Sequence, residues 1–224
     1  MTRPRIGITT SYSEGKQTLD AHYVRAIEAA GGLPLIVPMF ESDEAAKEFA
    51  LLLDGLVITG GPGITKGLIG ELPEDLEPVD PMRNENDTRV FEAVPDKPVF
   101  GICYGMQFIN AQAGGTIYAD VYAQKPGVLL HSAGRGASDH TVQFAADSHI
   151  RQVLNAPEII ANTYHIQAVN EIGAGLRAVG YGPDGVVEAI ESHDGRLMGV
   201  QFHPERMFDR TYPLFEDFVN RCRR

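Results

Sequence analysis

Cys103 stands in the run Pro98-Val99-Phe100-Gly101-Ile102-Cys103-Tyr104-Gly105-Met106-Gln107. Apolar residues of strand character lead into Gly-x-Cys-x-Gly, and a helix-like stretch follows as far as Ala111. A strand, a sharp turn and a helix start are what a nucleophile elbow needs. The two glycines leave room for a strained backbone at the cysteine. The new helix aims its free N–H groups and positive dipole end at the sulfur, which favours thiolate. A lone Cys after an apolar run also reads as a small buried hydrophobe. What separates the two readings lies a hundred residues on. The strand-like run Leu197 to Phe202 delivers His203-Pro204-Glu205. In extended chain, residues two apart face the same way, so His203 and Glu205 are expected to project together. A carboxylate beside an imidazole fixes its tautomer and stabilises its cation. Nucleophile, base and orienter are then all present.

These groups need a scaffold. Arg5-Ile6-Gly7-Ile8-Thr9-Thr10, Leu33-Pro34-Leu35-Ile36-Val37 and Gly55-Leu56-Val57-Ile58-Thr59 read as buried strands. Helices are expected between them, from Ala21 to Ala30 with Asp20 as N-cap, and from Glu44 to Leu53 behind Ser42 or Asp43. Strand-helix-strand alternation in under about sixty residues implies right-handed βαβ units and a parallel sheet. The third strand enters Gly60-Gly61-Pro62-Gly63. That loop lacks both the dinucleotide fingerprint and the Walker pair, so it reads as exposed backbone N–H groups at the carboxyl end of a strand. Residues 64–82 read as a long acidic loop near the site, either a lid or a surface excursion. A helix is expected from Asn84 to Val94. After Gly115 short alternating runs and Gly-rich turns imply antiparallel strands added to the sheet. A last helix runs from Tyr212 to Arg221. The expected architecture is one domain spanning residues 1–224, a three-layer α/β/α sandwich with a mostly parallel central sheet.

Composition narrows the function. Thirty acids against nineteen bases give a net charge of −11, which disfavours nucleic acid or an anionic membrane as partner. No apolar h-region follows Met1-Thr2-Arg3-Pro4-Arg5, and no run reaches the roughly 18 apolar residues of a membrane span. The two cysteines, Cys103 and Cys222, are far apart and form no C-x-x-C. A reducing, cytoplasmic setting is expected. His131, His140 and His149 recur every nine residues, a spacing that fits no helix or hairpin register, and no Cys accompanies them, so no metal site is expected. Cys222 is assigned no role.

Gly101-Ile102-Cys103-Tyr104-Gly105-Met106-Gln107, Gly60-Gly61-Pro62-Gly63 and Gly199-Val200-Gln201-Phe202-His203-Pro204-Glu205 together resemble the class I glutamine amidotransferase superfamily. Tyr23-Val24-Arg25-Ala26-Ile27, Ala30-Gly31-Gly32-Leu33-Pro34 and Asn162-Thr163-Tyr164-His165-Ile166-Gln167 resemble its γ-glutamyl-γ-aminobutyrate hydrolase (peptidase C26) branch. The resemblance implies that Cys103 attacks the γ-carbonyl of a glutamyl amide to give a thioester, with His203 as proton carrier and Glu205 holding it. It implies an oxyanion hole from the N–H groups of Gly61 and Tyr104, contact of Gln107 with the glutamyl group, and His165 and Gln167 on the leaving-group side. No cofactor is implied. The expected partner is a small γ-glutamyl substrate, with the chain alone or as a homodimer. The alternatives are a glutaminase subunit serving a synthetase partner, and a redox-sensing relative, which has no need of His203 and Glu205. Two departures bear on the leaving group. Tyr104 stands where many hydrolases of the branch carry Arg, and Asp80-Pro81-Met82-Arg83-Asn84 lacks the final acid of the branch's Asp-Pro-x-Arg-Asp.

Overall fold

A computed structural model describes residues 2–223. β1 (Arg5–Ile8) leads into a hairpin of β2 (Ser11–Ser13) and β3 (Lys16–Thr18). Then come α1 (Ala21–Ala29), β4 (Leu33–Ile36), α2 (Asp43–Ala50), β5 (Gly55–Ile58), β6 (Leu68–Ile69), α3 (Pro81–Glu92), β7 (Val99–Ile102) and α4 (Tyr104–Gln112). The second half adds β8 (Ile117–Tyr118), α5 (Val121–Gln124), β9 (His140–Phe144), α6 (His149–Leu154) and β10 (Glu158–Ala161). It closes with β11 (Ala168–Val169), β12 (Leu176–Tyr181), β13 (Val187–Ser192), β14 (Leu197–Val200) and α7 (Phe208–Arg221).

Nine strands form the central sheet in the order β10-β9-β12-β13-β14-β7-β5-β1-β4. β4, β1, β5, β7 and β14 pair in parallel; β13, β12, β9 and β10 are antiparallel additions. Alternate residues of the buried parallel strands serve opposite faces. Val57 and Phe100 face α1, α6 and α7, where Phe100 meets Phe215 and Phe218 at centroid distances of 5.7 and 5.8 Å. Leu56, Ile58 and Val99 face the layer of α2, α3 and α4. The result is the expected three-layer α/β/α sandwich.

Local chemistry explains the boundaries. Asp20 accepts from the His22 N–H at 3.0 Å and Ser42 from the Ala45 N–H at 3.2 Å, so both expected caps open their helices. α3 starts three residues earlier than its apolar pattern suggests. Asp80 caps it through the Met82 N–H at 2.8 Å, and Pro81 occupies the first helical position, where its missing N–H costs nothing. Thr116 to Tyr118 does not extend the central sheet. β8 instead pairs with β6 and β11 in a small three-stranded sheet. The excursion 64–82 is strapped down through that pairing, through the Gly63–Glu77 and Val79–Gly63 backbone bonds, and through Arg135 on Asp75. Its ends at Ile64 and Val79 are buried.

Candidate active site

β7 ends at Ile102, and the next residue turns the chain into α4. Cys103 sits at φ 53° and ψ −106°, a left-side conformation that a side chain adopts only under strain. Its N–H donates to the Val200 carbonyl at 2.8 Å, which moors the elbow to β14. The glycines on either side are needed for close approach. A Cβ on Gly105 would lie 2.0 Å from the Ile58 carbonyl oxygen, so only glycine lets α4 start against β5.

His203 follows β14 across two residues. Its Nδ1 is 2.7 Å from Glu205 Oε1, and Glu205 is 2% exposed. The pairing is as expected, but its cause is not. Residues Pro204–Arg206 form a 3₁₀ turn rather than extended chain, and that turn folds the carboxylate back under the ring. Asn162 fixes the backbone of His203 from both sides. Its Oδ1 accepts from the His203 N–H at 2.8 Å, and its Nδ2 donates to the His203 carbonyl at 3.0 Å. Burial alone would lower the imidazole pKa. The Cys103 sulfur and Glu205 outweigh that and push it up to about 10. Sulfur and imidazole are therefore near enough to act on each other's charge. Stability drawn from this cation is complete below the ring's unfolded pKa of about 6.5 and is lost as pH rises through about 10.

Gln201, which sequence reasoning did not single out, lies beneath the nucleophile. Its Nε2 donates to Cys103 Sγ at 3.5 Å, while Gln107 Nε2 donates to Gln201 Oε1 at 3.0 Å and to the Gln167 carbonyl at 3.1 Å. The Gln107 amide thus orients a donor to the sulfur. The signal for Gln201 was a glutamine within an otherwise apolar strand end.

The loop after β5 is held by Arg83, a fully buried guanidinium. Nη2 donates to the Thr59 and Gly60 carbonyls at 3.1 and 3.0 Å, and Nη1 to Ser11 Oγ at 2.9 Å. A Cβ on Gly61 would meet Nη1 at 2.1 Å. With its carbonyl neighbours taken, the loop leaves the Gly61 N–H without a partner among the described residues, as is the Tyr104 N–H at the start of α4. Asn84 carries no charge, and the carboxylate that meets Arg83 is Asp87, four residues on, whose Oδ2 accepts from Arg83 Nε at 3.3 Å. Burial pushes the Asp87 carboxyl up to about 6 in spite of Arg83. The Tyr104 ring packs beneath Arg83, with the guanidinium carbon 4.4 Å from its centroid, and is 1% exposed. The aromatic that follows the nucleophile is therefore interior and does not shape the cleft.

His165 and Gln167 turn their side chains inward. Gln167 Oε1 accepts from the Ile64 N–H at 2.7 Å, and Nε2 donates to the Ile64 carbonyl at 2.9 Å, anchoring the chain just past the glycine loop. His165 Nδ1 meets the Gln167 carbonyl at 2.9 Å, and its other nitrogen faces Glu188. His131 and His140 join it there, gathered by loops and by β9 rather than by any register; His149 pairs elsewhere, with Asp217 at 2.9 Å.

A cleft of about 470 Å³ opens over His203, Gly60 and Gly61, walled by Ser11, Thr18, Asp20, Tyr23 and Arg206. It lies at the carboxyl ends of the parallel strands, where such sheets build sites. The β2–β3 hairpin that supplies one wall was not apparent in the sequence. A second cleft of about 650 Å³ lies at the amino ends of β1, β4 and β5, lined by Arg5, Leu33, Asp54 and Cys222. Burial pushes the Cys222 thiol up to about 12, which disfavours the thiolate that a nucleophile needs.

A cysteine on a strained strand-to-helix turn, a carboxylate-held imidazole and two N–H groups unpartnered among the described residues are arranged as in a hydrolase of the class I glutamine amidotransferase type. The chain belongs to the peptidase C26 family, whose model matches residues 4–205, and it is a hydrolase of C–N amide bonds. It is 34% identical to the protein NtpR of Enterococcus hirae over 82% of this chain and 79% of that one. It is 29% identical to the γ-glutamyl-γ-aminobutyrate hydrolase PuuD of Escherichia coli over 99% of this chain and 94% of that one. Among solved structures, a GMP synthase component from Thermoplasma acidophilum matches with a TM-score of 0.68 at 18% identity, covering 99% of this chain and 95% of that one, a likeness of fold. Among the described residues no helix is long and apolar enough to cross a membrane.

The raised imidazole sets a pH dependence. A role for His203 as proton donor predicts that kcat/KM falls on the basic side as pH passes about 10. In Glu205→Gln that limb moves to lower pH, because a group that holds the proton is gone. Initial rates between about pH 6 and 11 check both shifts.

Proposed function

We propose that this chain hydrolyses the γ-amide bond of a small γ-glutamyl compound through a γ-glutamyl thioester on Cys103. The thiolate attacks the carbonyl carbon, an S–C bond forms, and the oxyanion is met by the Gly61 and Tyr104 N–H groups. Each such donor is worth roughly 3 kcal/mol in comparable sites. As the C–N bond breaks, His203 passes its proton to the departing amine. A water then attacks the thioester and gives its proton to His203. Glutamate leaves, and the thiolate is regenerated. The carrying observation is the Glu205–His203 bond of 2.7 Å with the Cys103 sulfur acting on the same ring. Ser11, Thr18, Asp20 and Arg206 line the cleft, and the Asp20–Arg206 pair, 2.8 Å apart, would offer both charge signs to an amino acid head group. The relative named for γ-glutamyl-γ-aminobutyrate supports that substrate class. A cytoplasmic enzyme acting on a small solute without a synthetase is part of this reading.

The test is a panel of γ-glutamyl amides and glutamine, assayed with purified protein alone and with cell extract added. Turnover of γ-glutamyl-γ-aminobutyrate by the protein alone, well above its glutaminase rate, supports the proposal. Glutaminase activity that rises only with extract points instead to an ammonia-supplying component of a synthetase.

A further inference from the structure

We propose a buried zinc-type metal site formed by His131, His140, His165 and Glu188, apart from the catalytic thiol. All four are nearly or fully buried, at 2%, 8%, 4% and 0% exposed. His131 Nδ1, His140 Nε2 and His165 Nε2 lie 3.4, 3.1 and 3.4 Å from one atom, Glu188 Oε1. The donor atoms of His131, His140 and Glu188 are all within 4.8 Å of one another. In a tetrahedron with zinc–ligand bonds of about 2.0 Å, ligand atoms are about 3.3 Å apart. The nitrogen–oxygen separations already have that size, whereas the nitrogens stand farther apart and His165 lies outside the set of donors within 4.8 Å of one another, so binding draws the rings in around the ion.

The outer bonds of the rings argue that a cation belongs there. His131 Nε2 is 2.9 Å from Asp184 Oδ2, and Asp184 is held in turn by the Leu129 N–H at 2.8 Å and the Val186 N–H at 3.2 Å. His165 Nδ1 donates to the Gln167 carbonyl at 2.9 Å. Those bonds take the ring proton outward and leave His131 Nδ1 and His165 Nε2 facing the carboxylate as lone pairs. Both of these nitrogens, and Glu188 Oε2, lack a hydrogen-bond partner among the described residues. Lone pairs aimed at a buried carboxylate repel it unless positive charge intervenes. Protonating every ring would place cations beside one another, with the His131 centroid 4.7 Å from those of His140 and His165. One divalent ion meets all the donors at once. Carboxylate on histidine and carbonyl on histidine are also the outer bonds that orient metal ligands. His140 lacks such a support, since its Nδ1 has no partner among the described residues. Three imidazoles and one carboxylate suit zinc or its first-row neighbours.

The ion would join the loop before the 3₁₀ turn Ala133–Arg135, β9, β13 and the segment 162–167. Asn162 of that segment clamps His203. The role is structural, because the protein ligands fill all the tetrahedral positions. This inference stands independently of the proposed substrate.

The test is titration of chelator-treated full-length protein with Zn²⁺, and with Co²⁺ read by its visible bands. The expected result is one ion per chain, a tetrahedral cobalt spectrum, and a higher melting temperature with zinc. Cys103→Ala is expected to bind the ion unchanged. His140→Asn and Glu188→Gln are expected to weaken binding at least about 100-fold, since changes in the outer shell alone cost 10–100-fold. Should either variant fail to fold, zinc X-ray absorption of the wild-type protein decides. A shell of nitrogen and oxygen without sulfur supports the site, and a sulfur ligand overturns it. Absence of stoichiometric binding, or binding abolished by Cys103→Ala, also overturns it and leaves a histidine cap on Glu188.

Discussion

Cys103→Ala is expected to lower kcat/KM for a γ-glutamyl amide by at least about 10⁴-fold, the scale on which losing a nucleophile is felt in triad enzymes. Folding should survive the change. The Cys103 N–H to Val200 carbonyl bond is backbone, and alanine tolerates the φ of 53° no worse than cysteine does. Circular dichroism and the melting temperature separate a lost thiol from a lost fold. Cys103→Ser tests more sharply, since it keeps a hydroxyl at the same position. A serine beside the same imidazole should recover little, because an alcohol ionises far less readily than a thiol. Turnover by Cys103→Ala at the wild-type rate removes the thiol from the mechanism.

His203→Ala is expected to cost about as much, on the order of 10⁴-fold, because the leaving amine then departs without its proton and the hydrolytic water lacks a base. Glu205→Gln should cost one to two orders of magnitude less, since it acts only through the ring. The double variant Cys103→Ala with His203→Ala should be no slower than either single one, as groups that work as a unit do not add. Additive losses in steady-state rates would mean that sulfur and imidazole work separately. The 2.7 Å bond to a carboxylate 2% exposed makes the ordering testable, for Glu205 has no second route to the substrate.

Much of the site could be read from the chain because its chemistry is local in sequence. The elbow needs a strand, a cysteine and a helix start within ten residues, and hydrophobic period together with glycine reports all three. The parallel half of the sheet was legible for the same reason, as β1, β4, β5 and β7 are apolar runs punctuated by caps and Gly pairs. His203 and Glu205 were paired correctly for the wrong reason, because a proline at the first position of a 3₁₀ turn looks like extended chain in a three-residue motif.

What escaped is non-local. Arg83 reads as one charge on a polar helix, yet it holds the carbonyls of Thr59 and Gly60, 24 and 23 residues away. Its carboxylate partner is Asp87, four residues on, which only the folded helix brings into reach. Asn162 and Gln201 face the catalytic pair from segments whose periodicity reports burial and not partners. The histidines at 131 and 140 are brought together by loop closure, which no spacing rule detects, and His165 joins them from a third segment. Short strands such as β2, β3 and β6 bury too little apolar surface to leave an alternating pattern.

Acid-quenched intact-mass analysis during turnover, followed by peptide mapping, tests the central claim most directly. The prediction is a γ-glutamyl adduct on the peptide bearing Cys103, formed fast enough to account for turnover and absent in Cys103→Ala. A γ-glutamyl group mapped to another residue, or steady turnover by a protein whose Cys103 is blocked by alkylation, would contradict it.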